Sequence, residues 1–198
     1  MINLSITNFL ANLKDGLAMP NRYRVTIFPP RGIEAVEGVS SLVYTQNINK
    51  NFTSLNPANR MSLLALGAML PSRNMELMEI RTYGIKQQLP FSISVNEPLI
   101  VSFLGTSYLA ERKYFEIWQA AIANLKSNTM NFPNEYLGSM VIDVLKRDGT
   151  IAYTVTLTDV FPSVVPQLEL SYSSNNTPML IPVTFIFKTW DSNIATGE

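Results

Sequence analysis

The sequence predicts a mainly β protein with some α: an antiparallel β-sandwich or barrel with one packed helix. Three observations carry that expectation. Residues 140–158 alternate apolar and polar on both sides of Arg147-Asp148-Gly149-Thr150, and Asp-Gly between two alternating runs is a hairpin signal. Residues 158–190 hold two more alternating stretches, separated by a Pro-rich corner and the polar turn Ser173-Ser174-Asn175-Asn176. After Leu104 the period changes from 2 to 3.6, and Leu109, Phe115, Trp118, Ala121, Ile122 and Leu125 share one broad helical face.

The elements follow in order. Ile6, Phe9, Leu10 and Leu13 recur at i, i+3, i+4 and i+7, with Ser5 as a cap and Gly16 as a stop, which predicts a short amphipathic helix. Residues 22–28 predict the first strand, with Tyr23, Val25 and Ile27 on one face. Pro29 and Pro30 end it, because proline cannot donate to a ladder. Over residues 30–68 the period is lost, and this stretch is expected to be an inserted loop or arm in a single domain spanning 1–198. Residues 59–69, at its end, are expected to hold a short apolar helix. Residues 75–81, 84–89, 91–95 and 99–104 read as strands. Thr106 or Ser107 is expected to cap the main helix, with Glu111 in its first turn and Lys126 in its last. In the hairpin, Met140, Ile142 and Val144 alternate with Val141, Asp143 and Leu145. Tyr153, Val155 and Leu157 then alternate with Thr154, Thr156 and Thr158. Leu168, Leu170 and Tyr172 opposite Glu169 and Ser171 predict another strand, and residues 182–190 close the run.

Composition narrows the chemistry. Fifteen basic and fifteen acidic residues give zero net charge, which argues against a dedicated nucleic-acid binder. Charged residues are 15% of the chain, below the ~25% usual in soluble domains. Either partners cover part of the surface, or a large β core accounts for the shortage. The absence of Cys and His removes disulfides, thiol nucleophiles and the commonest general base and metal ligand. No metal or other cofactor is expected. The opening MINLSITNFLANLKDG has no basic n-region and no long apolar core, so synthesis in the cytoplasm is expected. The longest apolar run, residues 63–70, is too short to span a membrane.

An enzyme would have to rely on carboxylates, Ser, Thr, Lys or Tyr. Glu135, Asp143 and Asp159 lie nearest the hairpin, but nothing in their spacing suggests the facing pair a glycosidase needs. Gly67 and Gly84 form no phosphate-binding motif. Residues 173–176 could offer oxygens to a sugar or cation, though such clusters usually make turns. Tyr114 and Trp118, at helical spacing beside Ile122, read as core. No enzymatic activity is expected.

Four segments together resemble the tail-tube family of contractile-tailed phages. They are Ala18-Met19-Pro20-Asn21-Arg22-Tyr23-Arg24-Val25; Met69-Leu70-Pro71 followed by Ile80-Arg81-Thr82-Tyr83-Gly84 and Leu89-Pro90-Phe91; residues 99–103 leading to Tyr114-Phe115-Glu116-Ile117-Trp118; and the C-terminal run with Phe161-Pro162, Leu168-Glu169-Leu170-Ser171-Tyr172 and Trp190. The resemblance covers roughly residues 18–30 and 69–190, and it departs from the simplest members at 30–68. It implies a ring-forming tail-tube fold: six subunits per ring, and rings stacked into the inner tube that conducts DNA during ejection. It also implies a place in the virion tail beside sheath, baseplate and tape-measure proteins. A tube-initiating baseplate ring of the same fold is the alternative. A β-sandwich carbohydrate-binding or hydrolytic domain is the rival from another class.

Two sets of residues are expected to matter for assembly. Asp143, Thr154, Thr156 and Thr158 form a polar hairpin face free of Lys and Arg, suited to a channel lining that does not hold phosphate. Phe9, Leu13, Met61 and Leu64 are expected contacts with neighbouring proteins.

Overall fold

In a computed structural model, residues 17–30, 57–94, 97–124, 128–171, 173 and 177–193 are described, leaving aside the side chains of residues 57–60, 82 and 124. The elements are β1 (Tyr23–Phe28), α1 (Pro57–Leu64), β2 (Ala65–Ala68), β3 (Asn74–Thr82), β4 (Ile85–Ser94), β5 (Leu99–Leu104), α2 (Ala110–Ile122), β6 (Ala123–Asn124), β7 (Thr129–Met130), α3 (Pro133–Tyr136), β8 (Gly138–Leu145), β9 (Ile151–Val164), β10 (Leu180–Ile186) and β11 (Thr189–Ser192).

Seven strands form one antiparallel sheet in the order β1-β8-β9-β10-β5-β2, with β11 also on β9. The sheet doubles over at β9, whose 14 residues serve both halves. Its first part pairs with β8 and β11, its last part with β10. The corner is Asp159, which sits in the left-handed region at φ 56 where the β8 register slips. A bulge there bends the strand, and Asp tolerates that conformation better than most side chains.

Alternation decides what the fold encloses. Val25, Ile27, Met140, Ile142, Val155 and Leu157 turn inward from one half; Leu99, Val101, Phe103, Ile181, Val183 and Phe185 turn inward from the other, into one common core. Helix α2 fills the remaining side. Tyr114, Phe115, Trp118 and Ala121 are its buried stripe, and Phe115 meets Phe103 and Phe185 at 4.9 and 5.6 Å between ring centroids. Trp118 donates its Nε1–H to the Tyr136 carbonyl at 2.8 Å, so its one polar atom is satisfied. Gly138 passes beneath this indole, and a Cβ there would lie 2.5 Å from the Phe28 carbonyl oxygen.

The helix starts differently from the sequence expectation. Neither Thr106 nor Ser107 is the cap; Leu109 holds that position at φ 49. No side chain caps the helix; Glu111, fully buried in its first turn, instead ties back the preceding segment by accepting from the Thr106 N–H and hydroxyl at 3.0 Å. A carboxylate at a helix start is favoured by the free N–H groups and the dipole. The helix stops at Ile122, and Leu125 and Lys126 lie outside the described residues.

Three further expectations need revision. Residues 168–171 are not a strand: they run as an irregular segment whose side chains do not alternate between core and solvent, and Tyr172 lies outside the described residues. The two strands expected at 84–95 are one, β4, with Pro90 accommodated beside a register slip opposite Leu77. The expected helix at 59–69 ends at Leu64, and β2 follows it onto β5. Residues 57–68 are thus built into the core: Met61 is buried, and the Ser62 hydroxyl accepts the Ile27 N–H at 3.2 Å.

Candidate assembly surfaces

The outward face of β1, β8, β9 and β11 is the first candidate. Cross-strand register aligns Arg24 with Asp143 and Thr154, then Thr26 with Val141, Thr156 and Asp191, then Phe28 with Ser139, Thr158 and Thr189. The structure brings the four expected lining residues together on this one face. It also adds a cation that the hairpin alone does not carry. Arg24, from the neighbouring strand, binds Asp143 Oδ2 through Nη2 at 2.7 Å and Nε at 3.1 Å. Thr154 donates to Asp143 Oδ1 at 2.8 Å. Asp143 is therefore covered, and its charge and that of Arg24 cancel locally. Beside that pair the face presents the hydroxyls of Thr26, Ser139, Thr156, Thr158 and Thr189, together with the exposed Phe28 ring and Asp191 carboxylate.

The edges of this half-sheet are the second candidate. Among the described residues, β1 pairs only with β8 and β11 only with β9. β11 leaves a row of unpaired backbone groups, a template for another strand, whereas the outer side of β1 is met by α1, whose Ser62 hydroxyl takes the Ile27 N–H.

The third candidate is the β3–β4 hairpin, an arm. Its strands pair with each other from Asn74↔Ser94 to Thr82↔Ile85 and join no other sheet. Met75, Leu77, Met78, Ile85, Leu89, Phe91 and Ile93 are all exposed, and Tyr83 at the turn is completely so. Opposed residues share a face, so apolar side chains change sides along the arm. Near the base Met75, Ile93 and Leu77 lie on one face; near the tip Met78, Leu89, Ile80 and Ile85 lie on the other. The register slip between Glu76 and Leu77 marks the change. A root of polar contacts fixes the arm to the body. Glu97 accepts from the Ser72 hydroxyl and from Asn74 Nδ2, which holds its carboxyl below the ordinary carboxylate range, Ser72 contributing most. The Arg73 guanidinium lies 4.5 Å over the Trp190 ring, and Trp190 Nε1–H donates to the Ser72 carbonyl at 3.2 Å.

Of the expected apolar contacts, Met61 is corrected: it belongs to this chain's own core, and Leu64 is half-buried beside it. The stripe is turned the other way, so that Leu63, Leu66, Met69 and Leu70 are the exposed members. Phe9 and Leu13 lie outside the described residues. Sequence reasoning did not single out the arm. Its signal was the mixture of Met, Leu and Ile with Glu76, Glu79, Arg81 and Lys86 on both parities, a pattern that leaves no wholly dry face.

The carboxylates weighed for catalysis have structural partners or positions. Asp143 binds Arg24 and Thr154; Asp159 makes the β9 corner, 3.6 Å from Lys188 Nζ; Glu135 lies in the first turn of α3. Tyr114 and Trp118 are core residues. No group of three or more metal-binding side chains occurs among the described residues. No described helix is long and apolar enough to cross a membrane.

Comparison with known proteins gives this architecture its context. No curated protein sequence matches the chain. Among solved structures, the chain is similar to one in the sheath-tube complex of an extracellular contractile injection system, PVC, in its extended state. That match has a TM-score of 0.55 and 11% identity over 96% of this chain and 98% of that one. It is similar to one in the tube-terminating cap of the anti-feeding prophage (0.56, 13%, 89% and 90%) and to one in that particle's baseplate, solved with 6-fold symmetry (0.56, 15%, 89% and 95%). At these identities the likeness is one of fold. The profile of the phage tail tube protein family matches residues 18–193, from just before β1 to the turn after β11, and the chain belongs to that family.

Proposed function

We propose that this chain is the repeating subunit of hexameric rings that stack into the inner tube of a contractile tail and conduct DNA during ejection. The observation that carries the reading is the arm. A fold that buries its core aromatics completely leaves a ten-residue strand and its partner with apolar side chains in water on both faces. An exposed apolar area of that extent marks a contact surface. The free edge of β11, and the outer side of β1 beyond the Ile27 amide that Ser62 occupies, add a second, directional contact. Edge β1 of one copy against β11 of the next is a head-to-tail interface, and such interfaces close into rings when the rotation fits.

In that ring the hydroxyl-rich face of β1, β8, β9 and β11 lines the channel, with Thr154, Thr156 and Thr158 at its centre and the Arg24–Asp143 pair neutral beside them. A lining of this kind wets the duplex without holding its phosphates. The sheath, the baseplate and a tape-measure protein are the expected partners. A tube-initiating baseplate ring is the second reading, favoured by the equal fold similarity to cap and baseplate chains.

Negative-stain microscopy of the purified chain tests the proposal. Rings with six-fold symmetry and a central hole, alone or stacked, are expected; a monomer that binds glycans would overturn it in favour of the carbohydrate-binding class. Thr154→Lys with Thr156→Lys should leave rings intact and slow DNA release. Unchanged release kinetics would remove these residues from the channel.

A further inference from the structure

The arm joins no sheet of the body, so its ladder bonds hold it together without holding it in place. On its entering side the Met69 N–H reaches the Ile100 carbonyl at 3.3 Å, and residues 69–73 then run as neither strand nor helix. Side chains fix the arm instead. Glu97 binds both Ser72 and Asn74 and so pinches the entering and leaving roots together. Trp190 ties the entering root to the body. Its Nε1–H donates to the Ser72 carbonyl at 3.2 Å, and the Arg73 guanidinium lies 4.5 Å over its ring. Two consecutive residues thus take the edge and the face of one indole, which sets both the position and the tilt of the root.

Trp190 has a second attachment. It belongs to β11, a four-residue strand that pairs only with β9 among the described residues. It stands opposite Leu157, which is wholly buried, so its ring turns to the inner side of the sheet and packs on the core. Its neighbours Thr189 and Asp191 therefore turn to the outward face, beside Thr158 and Thr156. A single side chain joins the root of the arm to a strand of the hydroxyl-bearing face. A short edge strand is the class of element that opens locally most readily, so one hydrogen bond and one cation–π contact weigh heavily on it.

We propose that Trp190 is a clasp that makes the arm and β11 one mechanical unit. The arm keeps its direction while Trp190 holds Ser72 and Arg73, and β11 is held more firmly on β9 while the arm is so seated. Coupling of this kind is reciprocal. A partner that turns the arm loosens β11 and moves Thr189 and Asp191 on the outward face, and a load on that face frees the arm. The clasp is a property of one chain; only its use inside a channel rests on the tube reading.

The chain has no Cys, so two introduced cysteines can carry the only spin labels. Ile85→Cys in the arm and Ile151→Cys at the start of β9 replace exposed side chains. Dilution with unlabelled chain confines the measured distances to one copy. The distance distribution between the labels, read by pulsed electron paramagnetic resonance, should be narrow. Trp190→Phe, which keeps a ring and deletes the donor, should broaden it, and so should Arg73→Ala, which changes only an exposed side chain. From the other side, Glu97→Ala removes no bond of Trp190 but frees the root. Amide exchange at Thr189–Ser192 should then rise about three- to tenfold, with Leu180–Ile186 unchanged as the control for global stability. A distribution that stays narrow in both clasp variants, or β11 amides indifferent to Glu97→Ala, would overturn the clasp and leave the tube reading standing. Absence of rings under the microscope would sink the tube reading and leave the clasp intact.

Discussion

The folded-over sheet and the arm are built from the same strand chemistry and meet opposite fates. Phe103 and Phe185 are wholly buried, yet Phe91 is 72% exposed. Residue type does not separate them; cover does. The body has a second half-sheet and α2 to close over its inward face, while the arm has neither among the described residues. The body is therefore stable through its own packing, whereas the arm lacks cover among the described residues, which the proposed assembly would supply.

The largest expected effect lies in the body. Trp118→Ala should destabilise the monomer by about 3–5 kcal/mol, because it empties the centre of the aromatic cluster and orphans the Tyr136 carbonyl. Gly138→Ala should follow at about 1–3 kcal/mol, since the new methyl meets the Phe28 carbonyl and the indole and the backbone must shift. Both are read from denaturant or thermal unfolding. Asp143→Ala should lose about 1–2 kcal/mol, the hydrogen bonds from Arg24 and Thr154, with Arg24 itself able to return to water. On the arm, Phe91→Ser with Ile93→Ser should change monomer stability by less than about 0.5 kcal/mol and still reduce assembly sharply. Loss of monomer stability as large as in the body would erase the distinction between the two regions.

The subtlest effect is at the arm's root. Glu97 has a depressed pKa in the folded state, so its contribution is complete above its unfolded value and fades as pH falls through the lower, folded one. Acid below the ordinary carboxylate range should therefore loosen the arm before the core melts. Trp190 emission, followed in a Trp118→Phe chain, should change first, and Glu97→Gln should remove that early step.

Much of the body was legible in the sequence because a buried face writes its own period. Tyr153, Val155 and Leu157 against Thr154, Thr156 and Thr158 gave the inner and outer sides of β9 correctly, and Trp118 gave the core of α2. Local chemistry that tertiary contacts override was less legible. Leu109 took the cap position in place of Thr106, Pro90 sat inside a strand at a register slip, and residues 168–171 alternated without forming one. The four residues proposed to line the channel were legible as a set because they share a face, but Arg24 joins them only through the β1–β8 pairing, which residue order does not reveal. Met61 and Leu64 were chosen from an apolar run in which direction, inward or outward, depends on where β2 pairs. The arm stayed hidden because two half-apolar faces produce no single period.

Amide hydrogen exchange on the assembled particle tests the central claim most directly, by comparing the arm with the body. If copies of this chain cover the arm and the β1 and β11 edges, amides of Ile85–Ser94 should exchange almost as slowly as those of Leu99–Leu104 in the particle, and much faster in the monomer. An arm that exchanges as fast in the particle as in the monomer would contradict the account.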